Sequence, residues 1–256
     1  MSKPRPRIRP NSLRRKSPSR PSGSGEYWLW GAHAVSAALA NPKRKLMRMV
    51  GTKNGLDRLV SKPGRSEVLE PGAIDALLPR DAVHQGLAAQ FEPLPPVQIE
   101  DVIASGAKRV VILDQVSDPH NLGAIFRSAA AFGFEALVLQ TRNAPPISGI
   151  VAKAAVGAIE TVKECRVVNI ARALDAMNEA GFHTVGLASE GRAEIDQAVA
   201  GATKHAIVLG AEGPGLRPGV AKACAELARI PISSEMESLN VSNAAAIAFY
   251  EAARGT

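Results

Sequence analysis

Three segments gather residue types that can do chemistry. The first is Asp114-Gln115-Val116-Ser117-Asp118-Pro119-His120-Asn121-Leu122-Gly123, running on to Arg127. It offers carboxylates, an imidazole, an amide and a guanidinium in close sequence, although Asp118 and Asn121 are also ordinary helix caps. The second is Gly210-Ala211-Glu212-Gly213-Pro214-Gly215. Its glycines have the wrong spacing for a phosphate cradle, and Pro214 lacks an amide donor. It suits a loop that lets backbone approach a flat ligand. The third, Ile230-Pro231-Ile232-Ser233-Ser234-Glu235-Met236-Glu237-Ser238-Leu239-Asn240-Val241-Ser242-Asn243, packs Ser238, Asn240, Ser242 and Asn243 just before an alanine-rich stretch. One side chain suffices to cap a helix, so the surplus points to a ligand site or to a chain crossing that needs many hydrogen bonds.

Other chemistries are missing from the sequence. No G-x-x-x-x-G-K-[ST] occurs, and no G-x-G-x-x-G follows the first strand of the larger domain. No nucleophile elbow or Ser-His-Asp set is evident. Cys165 and Cys224 are the two cysteines and form no C-x-x-C, which excludes a disulfide scaffold and a cysteine-rich zinc site. They are expected to be inert core residues in a reducing, cytoplasmic setting. His33 and His84 read as structural, and no metal site is expected. No apolar run approaches the ~20 residues that span a bilayer, and no apolar stretch of a secretory signal follows the basic start.

These segments need elements to hold them. From Lys108 onward, short apolar runs alternate with helical stretches. Strands are expected at Val110–Leu113, Ala136–Leu139, 161–167, Thr184–Leu187, Ala206–Leu209 and Leu227–Ile232. Helices are expected near 121–132, 148–157, 170–180, 194–199, 218–225 and 242–254. Alternation of this kind gives an α/β fold with a mostly parallel sheet, whose ligands bind at the carboxyl ends of the strands. All three polar segments follow such strands. Upstream lies a small α+β domain, 25–92, with a helical stripe at Val35, Ala38 and Leu39, a strand at Lys45–Gly51, a short helix at Ile74–Leu78, and a turn at His84 into a last strand. Pro93-Leu94-Pro95-Pro96 marks a proline-rich linker, 93–104, before the larger domain, 105–256.

Charge separates one more segment. The 256-residue chain carries a net +7, yet residues 1–24 hold eight basic residues, five prolines and no acid. The rest is near neutral. Such a tail cannot bury enough surface to fold. It reads as an electrostatic arm for a phosphate backbone or as a solubilising extension. Its prolines argue against the amphipathic helix of a transit peptide.

The three segments, in this order, resemble the three motifs of the SpoU-type RNA 2′-O-methyltransferases of the TrmH family. These are Asn121 with Arg127, Gly210-Ala211-Glu212-Gly213, and Ile230-Pro231 with Ser238-Leu239-Asn240-Val241-Ser242. Gly31-Ala32-His33-Ala34-Val35 and His84-Gln85-Gly86 resemble the ends of that family's L30e-like substrate-binding domain, so the likeness spans residues 26–254. It departs at the usual I-P-M-x-G, which here is Ile230-Pro231-Ile232-Ser233-Ser234, with Ser234 in the glycine position.

The resemblance implies a trefoil-knotted α/β domain and S-adenosylmethionine as cofactor. Backbone at Gly210, Ile230 and Leu239 would hold that cofactor. It also implies a homodimer formed through the C-terminal domain, and methylation of a guanosine ribose in 23S rRNA, with no DNA or membrane partner. Arg127, Asn121, Ser238, Asn240 and Glu212 fall on the catalytic positions. A guanidinium with a pKa above ~12 is an unsuitable base at neutral pH. Two roles therefore stay open for Arg127. It either stabilises the developing alkoxide and a neighbouring phosphate, or it assists while a phosphate takes the proton. Asn121 and Asn240 are expected to orient RNA or Arg127, Ser238 to contact the ribose, and Glu212 to brace its loop rather than act as a base. Two rivals remain, a tRNA guanosine methyltransferase of the same family and a noncatalytic RNA-binding protein.

Overall fold

The computed structural model describes residues 27–60 and 64–254, and the basic run 1–24 lies outside them. The first sheet is built by β1 (Tyr27–Trp30), α1 (Ala32–Ala40), β2 (Leu46–Gly51), α2 (Lys53–Asp57), β3 (Glu67–Val68), α3 (Pro71–Asp75) and β4 (Leu87–Phe91). Its strand order is β1-β4-β2-β3, with β4 antiparallel to both β1 and β2 and β3 parallel to β2.

The second sheet follows α4 (Ile99–Ala104). Its elements are β5 (Arg109–Leu113), α5 (Pro119–Ala131), β6 (Ala136–Gln140), α6 (Gly149–Ala155), β7 (Lys163–Val167), α7 (Ile170–Glu179), β8 (His183–Leu187) and β9 (Ala193–Glu194), then α8 (Ile195–Ala198), β10 (His205–Leu209), α9 (Pro218–Ala223), β11 (Glu226–Arg229) and α10 (Val241–Arg254). The seven strands run in the order β7-β6-β5-β10-β8-β11-β9, and every pairing is parallel. A parallel sheet needs helices on both faces, and β5 shows the result. Val111 and Leu113 join one core, while Val110 and Ile112 join the other.

Three expectations need correction. The stretch 93–104, read as a linker, carries α4 in its second half. Gln98 and Asp101 form a reciprocal capping box there, and Ile99 and Val102 enter the core of the large sheet. The short helix expected at Ile74–Leu78 is α3, which starts at Pro71, where a missing amide costs nothing. The last strand ends at Arg229 rather than Ile232.

The two sheets share one continuous core. Residues such as Leu29, Met49 and Phe91 pack in the same cluster as Leu122, Phe126 and Phe249. The seam between them is α6. A Cβ on Gly149 would lie 1.9 Å from the Trp30 ring, and one on Gly157 would lie 2.7 Å from Ala37 Cβ. Beyond the helix, Glu160 accepts from Arg44 Nη2 at 2.9 Å and Nε at 3.0 Å and from Asn41 Nδ2 at 2.7 Å. Arg44 also donates to the Tyr27 hydroxyl. The Arg44 and Glu160 side chains are only 1% and 5% exposed.

β11 lies between β8 and β9, although those two are joined directly through residues 188–192. That connection must step across β11. Gly191 is where it passes, because a Cβ there would lie 2.4 Å from the Ala228 carbonyl carbon. Arg229 Nη1 donates to the Gly191 carbonyl at 2.9 Å.

His205, at the start of β10, is fully buried, and the Ala202 backbone is the one group among the described residues near enough to its ring to favour the charged form. Burial lowers its pKa, with help from nearby His183 and Arg109. Above about pH 6.5 the folded and unfolded chains both leave such an imidazole neutral. Below that, the unfolded chain takes up a proton that the folded chain refuses, so stability falls with pH until the lowered pKa is reached. The melting temperature is therefore expected to fall between pH 7 and pH 5.5, and His205→Leu to flatten that slope. An identical slope in the variant would assign the acid sensitivity to other groups.

Candidate active site

Because every strand of the large sheet is parallel, the segments after β5, β10 and β11 emerge on one edge. After β5, Asp114 is fully buried. It accepts from the Arg217 backbone amide at 3.0 Å and from Arg217 Nε at 2.8 Å. This ion pair fixes the exit of the glycine-rich loop to the end of β5. Sequence reasoning missed it. The available signal was an acid placed directly after four buried apolar residues.

Asp118 caps α5 by accepting from the His120 amide at 2.8 Å, with Pro119 following it. Asn121 is thereby free for other work. Its Nδ2 donates to Glu212 Oε1 at 3.0 Å, while its Oδ1 accepts from Asn240 Nδ2 at 3.1 Å. Asn240 Nδ2 also reaches Glu212 Oε1 at 2.7 Å. One residue from each polar segment thus meets in a closed triangle. Asn240 Oδ1 in turn accepts from the Ser242 amide at 2.9 Å, which caps α10. Glu212 ties the loops together by accepting from these two side-chain amides. Asn121 and Asn240 are committed to Glu212 and to each other rather than to Arg127.

Arg127 stands apart from this triangle. It follows Asn121 by six positions on α5, or about 240° around the helix. Asn121 is buried and Arg127 is exposed, with no hydrogen-bond or carboxylate partner among the described residues.

The glycine-rich loop closes on itself. Ala211 and Gly215 exchange backbone hydrogen bonds at 3.1 and 3.0 Å. Gly213 and Gly215 have φ of 83° and 69°, a region that favours glycine. Beside the loop is a cavity of about 650 Å³ that Gly210, Ile230 and Leu239 all line, together with Glu212 and Ser238. Ser238 is exposed and makes no side-chain hydrogen bond among the described residues. Asn121, Asn240 and Arg127 are not part of the lining. No group of three or more His, Cys, Asp or Glu suited to a metal ion occurs among the described residues.

The profile of the SpoU rRNA Methylase family matches residues 108–250, which include the triangle, the cavity loops and Arg127. The chain belongs to this family. It is 36% identical over 239 residues to the 23S rRNA (guanosine-2′-O-)-methyltransferase RlmB of Vibrio cholerae serotype O1, covering 88% of this chain and 96% of the relative. The RlmB of Coxiella burnetii is also 36% identical over 239 residues, covering 88% and 94%. Among solved structures, the SpoU methyltransferase AviRb of Streptomyces viridochromogenes, in complex with AdoMet, superposes with a TM-score of 0.74. That match has 23% identity and covers 90% of each chain, a likeness of fold.

Within this SpoU methylase, the small sheet's histidines do not pair as ligands. His33 is exposed. His84 Nδ1 accepts from the Gly86 amide at 3.0 Å, and its Nε2 lies 3.2 Å from Asp75. Burial pushes the Cys165 thiol up to about 12, and burial together with Asp114 does the same to Cys224. Both are unreactive thiols at neutral pH.

Gly210 has a different reason for being glycine than close approach to a ligand. A Cβ there would fall 2.1 Å from the Gly215 carbonyl carbon and 2.4 Å from the Leu216 nitrogen. Gly210→Val is therefore expected to force the loop open and weaken S-adenosylmethionine binding at least tenfold by calorimetry. Wild-type affinity in that variant would place the cofactor outside this cavity.

Proposed function

We propose that the protein transfers a methyl group from S-adenosylmethionine to the 2′-oxygen of a guanosine ribose in 23S rRNA. The observation that carries this reading is the meeting of three segments at one strand-end edge, in a chain similar along nearly its whole length to enzymes named for that reaction. Bound in the cavity, the cofactor would supply a methyl group activated by a sulfonium. The cavity fits such a cation. Its floor is a self-closed glycine loop, and four carboxylates, Glu190, Glu194, Glu212 and Glu237, line it against one cation, Arg229. Gly210, Ile230 and Leu239 would hold the cofactor.

The chain's own residues then prepare the ribose. A 2′-hydroxyl is a poor nucleophile that must lose its proton as the bond forms. Arg127 supplies a positive charge for the developing alkoxide and the adjacent phosphate, and the proton leaves to that phosphate or to water rather than to the guanidinium. The Asn121–Glu212–Asn240 triangle locks the three segments in place, and Ser238, at the cavity wall, contacts the ribose. Residues 25–92 hold the RNA.

The protein works as a homodimer through the large sheet, in the cytoplasm with its RNA. Supporting the dimer, Ile247 and Tyr250 of α10 are 39% and 46% exposed, and Tyr250 packs edge-on to Phe132 just beyond α5. Among the described residues no helix is long and apolar enough to cross a membrane. The trefoil knot belongs to this reading too, supported by β11 lying between β8 and β9 beneath the 188–192 connection.

The deciding experiment maps 2′-O-methyl positions in 23S rRNA and tRNA from cells with and without the protein. A single guanosine in 23S rRNA that loses its methyl supports the proposal. A tRNA guanosine that loses it instead moves the substrate, and no change at all overturns the activity.

A further inference from the structure

Two motifs of the small sheet, Gly31–Val35 and His84–Gly86, touch neither the cavity nor the triangle. They meet each other. Gly31 donates to the Leu87 carbonyl at 3.1 Å, and the Ala32 amide donates to Gln85 Oε1 at 3.3 Å. Gln85 sits at φ 54°, a left-handed conformation that a glutamine holds only when its surroundings enforce it. A cation from the helix of the seam reaches the same turn. Lys153 of α6 donates from Nζ to the Val83 carbonyl, at the entry to this turn. Its Nζ and Cδ lie 2.9 and 3.2 Å from where a Cβ on Gly31 would stand.

Gly149 and Lys153, four residues apart, share one face of α6, which receives Trp30 and the turn. Another face of α6 meets α5 as closely. A Cβ on Gly123 would lie 2.4 Å from Ala154 Cβ and 2.7 Å from the Val151 carbonyl oxygen. α5 carries Asn121 and Arg127. The small sheet, α6 and α5 are thus in series, joined by contacts too close for an extra methyl group.

We propose that Lys153 is a positioning residue that fixes the small sheet on α6, and so sets which nucleotide of a bound RNA stands at Arg127. This rests on the function proposed above. Lys153→Met keeps the aliphatic stem against Gly31 and removes only the ammonium. In the full chain, with a 23S rRNA fragment as substrate, kcat is expected to fall about tenfold or more, because misplacement of about an ångström is enough for that. KM for the RNA and affinity for S-adenosylmethionine should stay within twofold, since both binding surfaces are intact. Methyl groups should also appear at additional positions, and Lys153→Arg should restore rate and site choice.

Full kcat with an unchanged single site in Lys153→Met would overturn the proposal. So would a loss of cofactor affinity and melting temperature in proportion to kcat, which would mark a general packing role. Amide hydrogen exchange across 83–87 gives a readout independent of activity. Faster exchange in Lys153→Met is expected, and unchanged protection would refute the docking role. If the wild-type chain methylates no 23S rRNA fragment, the function reading and its nucleotide-choice clause fail together, and the exchange result alone then decides the docking.

Discussion

Arg127→Ala is expected to slow methyl transfer about a hundredfold or more while leaving cofactor affinity within twofold. The size follows from the loss of one cationic donor at a developing oxyanion. The selectivity follows from where the residue is, exposed on α5 and outside the lining of the cavity. The fold should not notice the change either. Arg127 holds no carboxylate among the described residues, and surface substitutions of that kind usually stay within about 0.5 kcal/mol. Arg127→Lys keeps the charge but loses the planar fork, and should recover only part of the rate. Single-turnover kinetics at saturating cofactor, calorimetry and a thermal melt check the three statements together. Near-normal turnover in Arg127→Ala would remove the residue from the mechanism.

Glu160→Ala should be the most damaging substitution outside the catalytic edge. It leaves the Arg44 guanidinium, 1% exposed, without its carboxylate, and strips Asn41 of its acceptor. Breaking a buried pair from one side costs about 3–5 kcal/mol, because the remaining charge stays desolvated. In a chain of this size that is a drop in melting temperature on the order of 10 °C. Arg44→Met combined with Glu160→Leu should recover much of the loss, since two apolar groups leave no charge stranded. A Glu160→Ala melt within two degrees of wild type would mean that water reaches the pair.

The parallel sheet was legible because strands buried on both faces are short runs of apolar residues, and Val110–Leu113, Ala136–Leu139 and Ala206–Leu209 are such runs. α4 was not legible because the prolines just before it dominate the local composition, although the Gln98/Asp101 box was in plain sight. The glycine-rich loop, Asn121 and Asn240 each stood out as polar residues beyond a strand. Their triangle did not, because its hydrogen bonds join segments 28, 91 and 119 positions apart, and spacing alone says nothing about which of them meet. Sequence spacing alone set Arg127 and Asn121 on different helix faces, a consequence that the motif pattern concealed. The seam at α6 had no sequence signal. Gly149 reads as an ordinary helix start until Trp30 is seen lying against it.

The insertion of β11 between two strands made earlier in the chain has a consequence for synthesis. The cavity draws its walls from Leu187–Glu194, from Gly210–Leu216 and from Arg229–Leu239. The last wall slides into the gap only after the translating ribosome has emitted it. A nascent chain that stops short of Glu226 lacks β11, and one that stops short of Leu239 lacks part of the cavity's third wall, however long it waits. If the cofactor binds in this cavity, its loading becomes a test of completion. Under the proposed function, an enzyme that marks ribosomal RNA stays silent on the ribosome that is making it, and acquires its reagent only as a finished molecule.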